Sequence, residues 1–296
     1  MSKRRYEYSD VAGWSFSRYD TFRTCKRQYY FEYYGKKHAP PEIMERIDFL
    51  KSLLSSAILL GQIVHDAIAT ILRKIQSMNE EIPLDDLREK ATRVFSETLA
   101  GSLLLDTYYG AIITPARKFE LEFQLESCLE SFYASKWYQE LKSTPDERKA
   151  KWIIEPEDFG EFRLDGMKAY ARVDFAFPSE DGYLNIIDWK TGKRYDQKHA
   201  IQMQGYILYA HDVHGFPLEK IRAILEYLSD SDDPVECVMN QAHLESFKKR
   251  VRKELTEMHS FCQNVERNFP LSMEYFPLRD DSRACGWCRY RELCSR

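Results

Sequence analysis

Two runs, Ala171-Arg-Val-Asp-Phe-Ala-Phe177 and Leu184-Asn-Ile-Ile-Asp-Trp-Lys-Thr-Gly-Lys193, decide how this chain is read. Each is short, apolar and rich in β-favouring residues, and Pro178-Ser-Glu-Asp-Gly182 between them has the composition of a turn. They read as paired strands. Side chains alternate along a strand, so Asp188 and Lys190 share a face, and the neighbouring strand can bring Asp174 alongside. Solvation alone poorly explains an aspartate that closes an apolar run such as Asn185-Ile-Ile187. Two carboxylates held together repel and call for a cation between them, a need that hard divalent ions with oxygen ligands meet. Such an ion acidifies a bound water and stabilises charge building on a phosphoryl oxygen. A lysine beside it can orient or deprotonate that water and add positive charge. The D-x-K element by itself also describes a surface Asp–Lys pair in a hairpin.

Outward from this pair, Lys151–Glu155 reads as a further strand, Gln197–Ala210 as a helix, Ile221–Leu228 as a strand and Gln241–Arg267 as a long amphipathic helix. The strand runs are taken as Lys151–Glu155, Ala169–Phe177 and Leu184–Trp189. The order strand, strand, strand, helix, strand predicts an α/β core, preceded by a helical elaboration. In that elaboration Ile63, Val64, Ala67, Ile68, Ile71, Leu72 and Ile75 fall on one half of a helix from Gly61 to Ser77. His65 sits at the edge of that stripe and Asp66 points away. Further helices are expected near Pro83 and after Thr114-Pro115, where an N-cap precedes a first-position proline. Ser143-Thr-Pro-Asp146 is the clearest linker signal.

Near the start, Ser17 and Gly35 bound a helix carrying Phe22, Cys25, Tyr29, Tyr30 and Tyr33 together with Arg18, Arg23, Lys26 and Arg27. Aromatics interleaved with bases suit either a core stripe or a nucleic-acid strand. Cys25 has possible partners at the other end, where Cys285, Cys288 and Cys294 have the spacing C-x2-C-x5-C. Three thiolates are one short of the four that zinc or an iron–sulfur cluster takes, and Cys25 is the candidate fourth. On a chain-entropy argument, closing so long a loop contributes about 5 kcal/mol. Cys128, Cys237 and Cys262 lie in helix or strand patterns and read as packing residues.

The 296 residues are 44% hydrophobic and 30% charged, enough for a real core. An odd cysteine count of 7 and a polar, aromatic start argue against a disulfide framework and a secretory leader. A reducing, cytoplasmic location is therefore expected. No stretch is expected to span a membrane, and no membrane partner. The net charge of −4 neither supports nor excludes a DNA substrate.

These pieces, in this order, resemble the PD-(D/E)XK nuclease superfamily in its RecB-like branch, and within it the iron–sulfur exonucleases: the CRISPR-adaptation nuclease, the AddB-type nuclease subunit of repair machines and eukaryotic helicase–nucleases. The stretch Trp14-Ser-Phe-Ser-Arg to Cys25 resembles the family's S-x-S segment ending in its first cluster cysteine. Gly61-Gln-Ile-Val-His65 matches G-x-x-x-H, whose histidine is a metal ligand there. Asp174 matches the family's acidic residue, Asp188-Trp-Lys190 the (D/E)-x-K element with Thr191-Gly192 following, Gln202-Met-Gln-Gly-Tyr206 the Q-x-x-x-Y motif, and the closing cysteines the cluster. Gln202 and Tyr206 share a helix face, so both can reach one site; DNA contact and plain helix packing are both open for them.

The resemblance implies a restriction-endonuclease-like α/β fold, a central mixed sheet flanked by helices, with a cysteine-rich clamp joining the termini. Residues 1–296 would form one nuclease domain, with a helical insertion at 66–150, the catalytic α/β core at 151–230 and a cluster-binding segment at 280–296. It implies a DNA exonuclease or endonuclease, exonuclease being the form it points to, with single- or double-strand preference left open. Asp174, Asp188 and Lys190 would be catalytic, with Mg2+ or Mn2+ on His65, Asp174 and Asp188, and the histidine tilts the site towards manganese. A [4Fe–4S] cluster would sit on Cys25, Cys285, Cys288 and Cys294, with zinc the alternative. DNA is the expected partner, with a helicase or other repair, CRISPR or phage-defence protein beside it. The spacing from His65 to Asp174 is longer than in compact members, and Lys26 stands where a proline often follows the first cysteine. Glu155 matches an upstream strand glutamate of some members. The alternative reading is a non-catalytic DNA-binding or scaffold subunit of a repair or defence complex.

Overall fold

The structure, a computed structural model, describes residues 6–154, 160–230, 233–280 and 282–294. Its strands in chain order are β1 (Ile153–Ile154), β2 (Gly160–Leu164), β3 (Met167–Ala171), β4 (Phe175–Pro178), β5 (Leu184–Lys190), β6 (Ile221–Tyr227), β7 (Val235–Cys237), β8 (Cys262–Asn264) and β9 (Phe269–Pro270). The chain divides into two compact units. One comprises Leu54–Gly160 and Arg172–Asn240; the other comprises Arg4–Leu53, Glu161–Ala171 and Gln241–Arg296.

The first unit is built on a five-stranded mixed sheet in the order β1-β4-β5-β6-β7. β4 runs antiparallel to β5, and β5 runs parallel to β6. Parallel neighbours need a crossover, and the helix Asp196–His214 supplies it, ending at Gly215 with φ +71°. Leu184 to Trp189 is buried throughout, the pattern of a central strand covered on both faces. Phe175, Phe177, Ile187, Trp189 and Ile224 project into one apolar cluster with the helices Ser56–Met78, Leu84–Gly101 and Pro115–Ala134. Phe132 meets the Trp189 ring edge-on at 5.6 Å and Phe175 stacks on it at 5.9 Å. The helix Asp196–His214 packs against β6. Period two therefore sends Ile187 and Trp189 into the helical core and leaves Asp188 and Lys190 on the other face.

The helix Ser56–Met78 is long and apolar enough to cross a membrane by length and composition alone. Its apolar stripe from Leu59 to Ile75 is buried in this core, while Ile58 and Met78 at its ends are exposed. The elements from Leu84 to Lys149 are all helices.

The second unit holds the hairpin β2–β3 and the hairpin β8–β9. Asp165 and Gly166 turn the first with φ +48° and +81°, the Asp-Gly pair that a tight two-residue hairpin favours. Trp14 joins β3 through its backbone at Lys168 and Tyr170, and its indole donates to Glu254 at 2.6 Å. Phe22, Tyr29, Tyr30 and Phe31 are buried, so the N-terminal aromatic stripe serves this unit's core. Several strand and helix boundaries differ from expectation. Ala169–Phe177 is not one strand: β3 ends at Ala171 and β4 begins at Phe175, in separate sheets. The helix from Gln241 stops at His259, and Cys262 lies in a hairpin whose turn places Asn268 at φ +48°. Of the expected strand Lys151–Glu155, β1 keeps Ile153–Ile154; Glu155 lies outside the described residues.

Candidate active site

The register of the antiparallel pair builds the site. Phe175 pairs with Ile187, so Asp174, one residue before β4's first position, comes opposite Asp188, one residue beyond Ile187. Asp188 is 1% exposed. The amide of Trp189 donates to Asp174 Oδ2 at 3.1 Å, and His65 Nδ1 lies 3.4 Å from the same oxygen. His65 comes from the helix Ser56–Met78. Four residues earlier, a side chain on Gly61 would place its Cβ 3.2 Å from Thr191 Oγ1, so glycine lets this helix close on the turn that follows β5. Gln124 holds that turn from the helix Pro115–Ala134, donating to the Thr191 carbonyl at 2.9 Å.

On the other side of Asp188, Lys190 Nζ stands 2.5 Å from Oδ2 and donates to Gln202 Oε1 at 3.1 Å. Gln202 donates to the Tyr206 hydroxyl at 2.6 Å, which donates to Asp188 Oδ1 at 3.2 Å. Asp188, Lys190, Gln202 and Tyr206 thus form a closed ring of polar contacts between β5 and the helix behind it. Tyr206 is 5% exposed, so its hydroxyl reaches the carboxylate while its ring packs in the helix interface. The cleft is about 410 Å³ and is lined by His65, Asp174, Asp188, Lys190 and Gln202. Lys193, Tyr195, Lys198 and His199 complete its rim.

Burial pushes the Asp174 carboxyl up, Asp188 pushes it further, and His65, Lys190 and the Trp189 amide oppose both. Burial likewise holds the Tyr206 phenol far above its ordinary range, with both aspartates adding to it, so it donates as a neutral hydroxyl. Asp188 Oδ2 is buried and accepts no aligned hydrogen bond; its partner there is the Lys190 charge. Two carboxylates and an imidazole around such an oxygen fit a hard divalent ion by donor chemistry. Among the described residues, no three His, Cys, Asp or Glu side chains stand as a finished ligand cage. As they stand, Lys190 and His65 take the aspartate contacts that an ion would share.

The four cysteines singled out by spacing lie in the second unit and line one cavity there, with Gln28, Phe31 and Tyr290. Cys25 interrupts the expected single helix: it ends Phe16–Thr24 and caps Lys26–Tyr33, where its sulfur accepts from the Gln28 amide at 3.5 Å. The Cys288 thiol is raised to about 11 by burial, with Cys25, Cys294 and Cys285 adding to it. The four thiols are half-buried, and a metal centre held there would stabilise their thiolate forms. Cys128 is buried in the helix Pro115–Ala134, and Cys237 lies in β7.

Two groups near the site escaped the sequence reading. Glu226 is buried beside Trp189, whose indole donates to it at 3.0 Å. His199 stands one turn before Gln202; its only sequence signal is the i, i+3 spacing to Gln202.

The chain belongs to the PD-(D/E)XK nuclease superfamily, whose family description matches residues 13–295. Membership implies a nuclease, and nucleases of this superfamily usually use divalent metals and act on DNA. No curated protein sequence matches. Among solved structures, SSO0001 aligns over 80% of this chain and 94% of its own, at 15% identity and a TM-score of 0.30.

Proposed function

We propose that this protein is a metal-dependent deoxyribonuclease of the RecB-like branch, an exonuclease that hydrolyses phosphodiester bonds in single strands. The observation that carries the reading is the register that sets Asp174 opposite Asp188 with Lys190 on the same face. His65, Asp174 and Asp188 would hold Mg2+ or Mn2+, which when bound supplies an acidified water and charge stabilisation at the phosphoryl oxygen. Lys190 orients that water and takes part in its deprotonation. Gln202 and Tyr206 hold Lys190 and Asp188 in place through the contacts described. Lys193 and Lys198 add positive charge along the cleft, where a phosphate backbone would lie.

At the second centre, Cys25, Cys285, Cys288 and Cys294 would hold a [4Fe–4S] cluster tying the N-terminal helices to the C-terminal tail. Four thiols lining one cavity support a metal there; the choice of iron over zinc rests on the motif resemblance. The same resemblance places the protein in DNA repair, CRISPR adaptation or phage defence, beside a helicase or related partner. End-labelled single and double strands incubated with Mg2+, Mn2+ or EDTA test the activity, its polarity and its strand preference together. Metal-dependent release of terminal nucleotides from single strands is expected. DNA binding without cleavage in either metal would favour a scaffold subunit.

A further inference from the structure

His199 lies on the helix Asp196–His214, one turn before Gln202 and two before Tyr206, on the face that meets the catalytic cleft. Its Nδ1 is 2.7 Å from the Tyr227 hydroxyl at the end of β6. That hydroxyl already accepts from the Tyr195 amide at 3.2 Å. Asp196 is a competing acceptor for the hydroxyl, though both its oxygens are engaged by Arg194 Nε at 3.0 and 3.1 Å, while Nδ1 meets the hydroxyl in hydrogen-bond geometry at 2.7 Å. With the hydroxyl proton directed to Nδ1, the ring's own proton sits on Nε2, the nitrogen turned from Tyr227. Among the described residues Nε2 meets no hydrogen-bond partner.

We propose that His199, fixed as the Nε2–H tautomer by Tyr227, donates that hydrogen to a non-bridging phosphate oxygen of the strand in the cleft. The inference rests on the nuclease reading of this site and adds a substrate contact to it. Burial and the Lys190 charge lower the His199 pKa, which keeps the ring a neutral donor beside the lysines rather than another cation among them. An imidazole held from behind costs little entropy to orient, so it sets the height of the phosphate above Asp188 and Lys190. Tyr227 is then a positioning residue that acts through His199.

The test combines steady-state cleavage of a labelled single strand in Mg2+ with a series of strands carrying one neutral methylphosphonate each. His199→Ala should lower kcat/KM about 10–100-fold, the loss of one hydrogen bond to a charged group, with the half-activating Mg2+ concentration unchanged. His199→Gln, which can present an amide N–H at the Nε2 position, should recover most of that loss, and Tyr227→Phe should fall between. Wild-type protein should be slowed by the methylphosphonate at one position to which His199→Ala is indifferent. A structural role would slow all strands equally and leave that profile unchanged, and that result overturns the proposal. Wild-type cleavage matched by His199→Ala overturns it alone; wild-type protein that cleaves nothing in either metal overturns the nuclease reading and this contact with it.

Discussion

Asp188 makes its contacts with two groups that do opposite things: Tyr206 donates a hydrogen to Oδ1 while Lys190 sets a full charge against Oδ2. Removing either aspartate or the lysine should therefore stop turnover without unfolding the chain. Asp174→Asn, Asp188→Asn and Lys190→Ala are each expected to lower kcat by about 10³-fold or more, and the Asp174→Asn/Asp188→Asn pair should be hardly worse than either alone. Single-turnover rates together with circular dichroism check this. His65→Ala should be the mildest, with partial recovery at high Mn2+, because both carboxylates remain. Glu226 gives a different test, of stability. Burial raises its carboxyl to about 7, so the folded chain keeps a proton there that the unfolded chain gives up near pH 4.5. Its contribution is then complete below that value, and stability falls as pH rises towards 7, by an upper figure of about 3 kcal/mol. Glu226→Gln keeps an acceptor for Trp189 and should remove that loss, raising the urea midpoint at pH 8 more than at pH 5.

At the scale of elements, the turn Asp165-Gly166 is set by backbone conformation alone. Gly166 has φ +81° and open space where a Cβ would go, so Gly166→Ala should cost about 1 kcal/mol through the left-handed backbone rather than a clash. Denaturant midpoints of the variant read this directly. The pairing of β4 with β5 was legible in the sequence because period two and a polar turn leave one register that buries Phe175, Phe177, Ile187 and Trp189 together. The ends of elements were not. The β-favouring pattern runs unbroken through Ala171, Arg172 and Val173, yet the backbone changes sheets there, because β3 is claimed by β2 and by Trp14. The helix at Gln241 keeps its polar and apolar alternation past His259, while β9 pairs with β8, a long-range choice that local propensity does not encode. Cys25 breaks its helix by capping the next one, and neither flanking residue announces the break. His199 was missed for a related reason: its value lies in Tyr227, a strand away in sequence and 2.7 Å away in space.

At the scale of the whole molecule, the family spans nearly the full chain, and the two metal centres proposed within it belong to different compact units. Protein purified without oxygen should be brown and carry about four irons, and Cys285→Ala should lose both the colour and the iron and lower the thermal midpoint. Colourless protein with one zinc would replace the cluster and leave the nuclease site untouched. The central claim is that Asp174, Asp188 and Lys190 cut DNA with a divalent ion, and one measurement tests it most directly: cleavage of an end-labelled single strand by wild-type and Asp188→Asn protein, in Mg2+, in Mn2+ and in EDTA. Cleavage by the wild type in metal, absent in EDTA and absent in Asp188→Asn, is the predicted result. Asp188→Asn protein that cuts at the wild-type rate would contradict it.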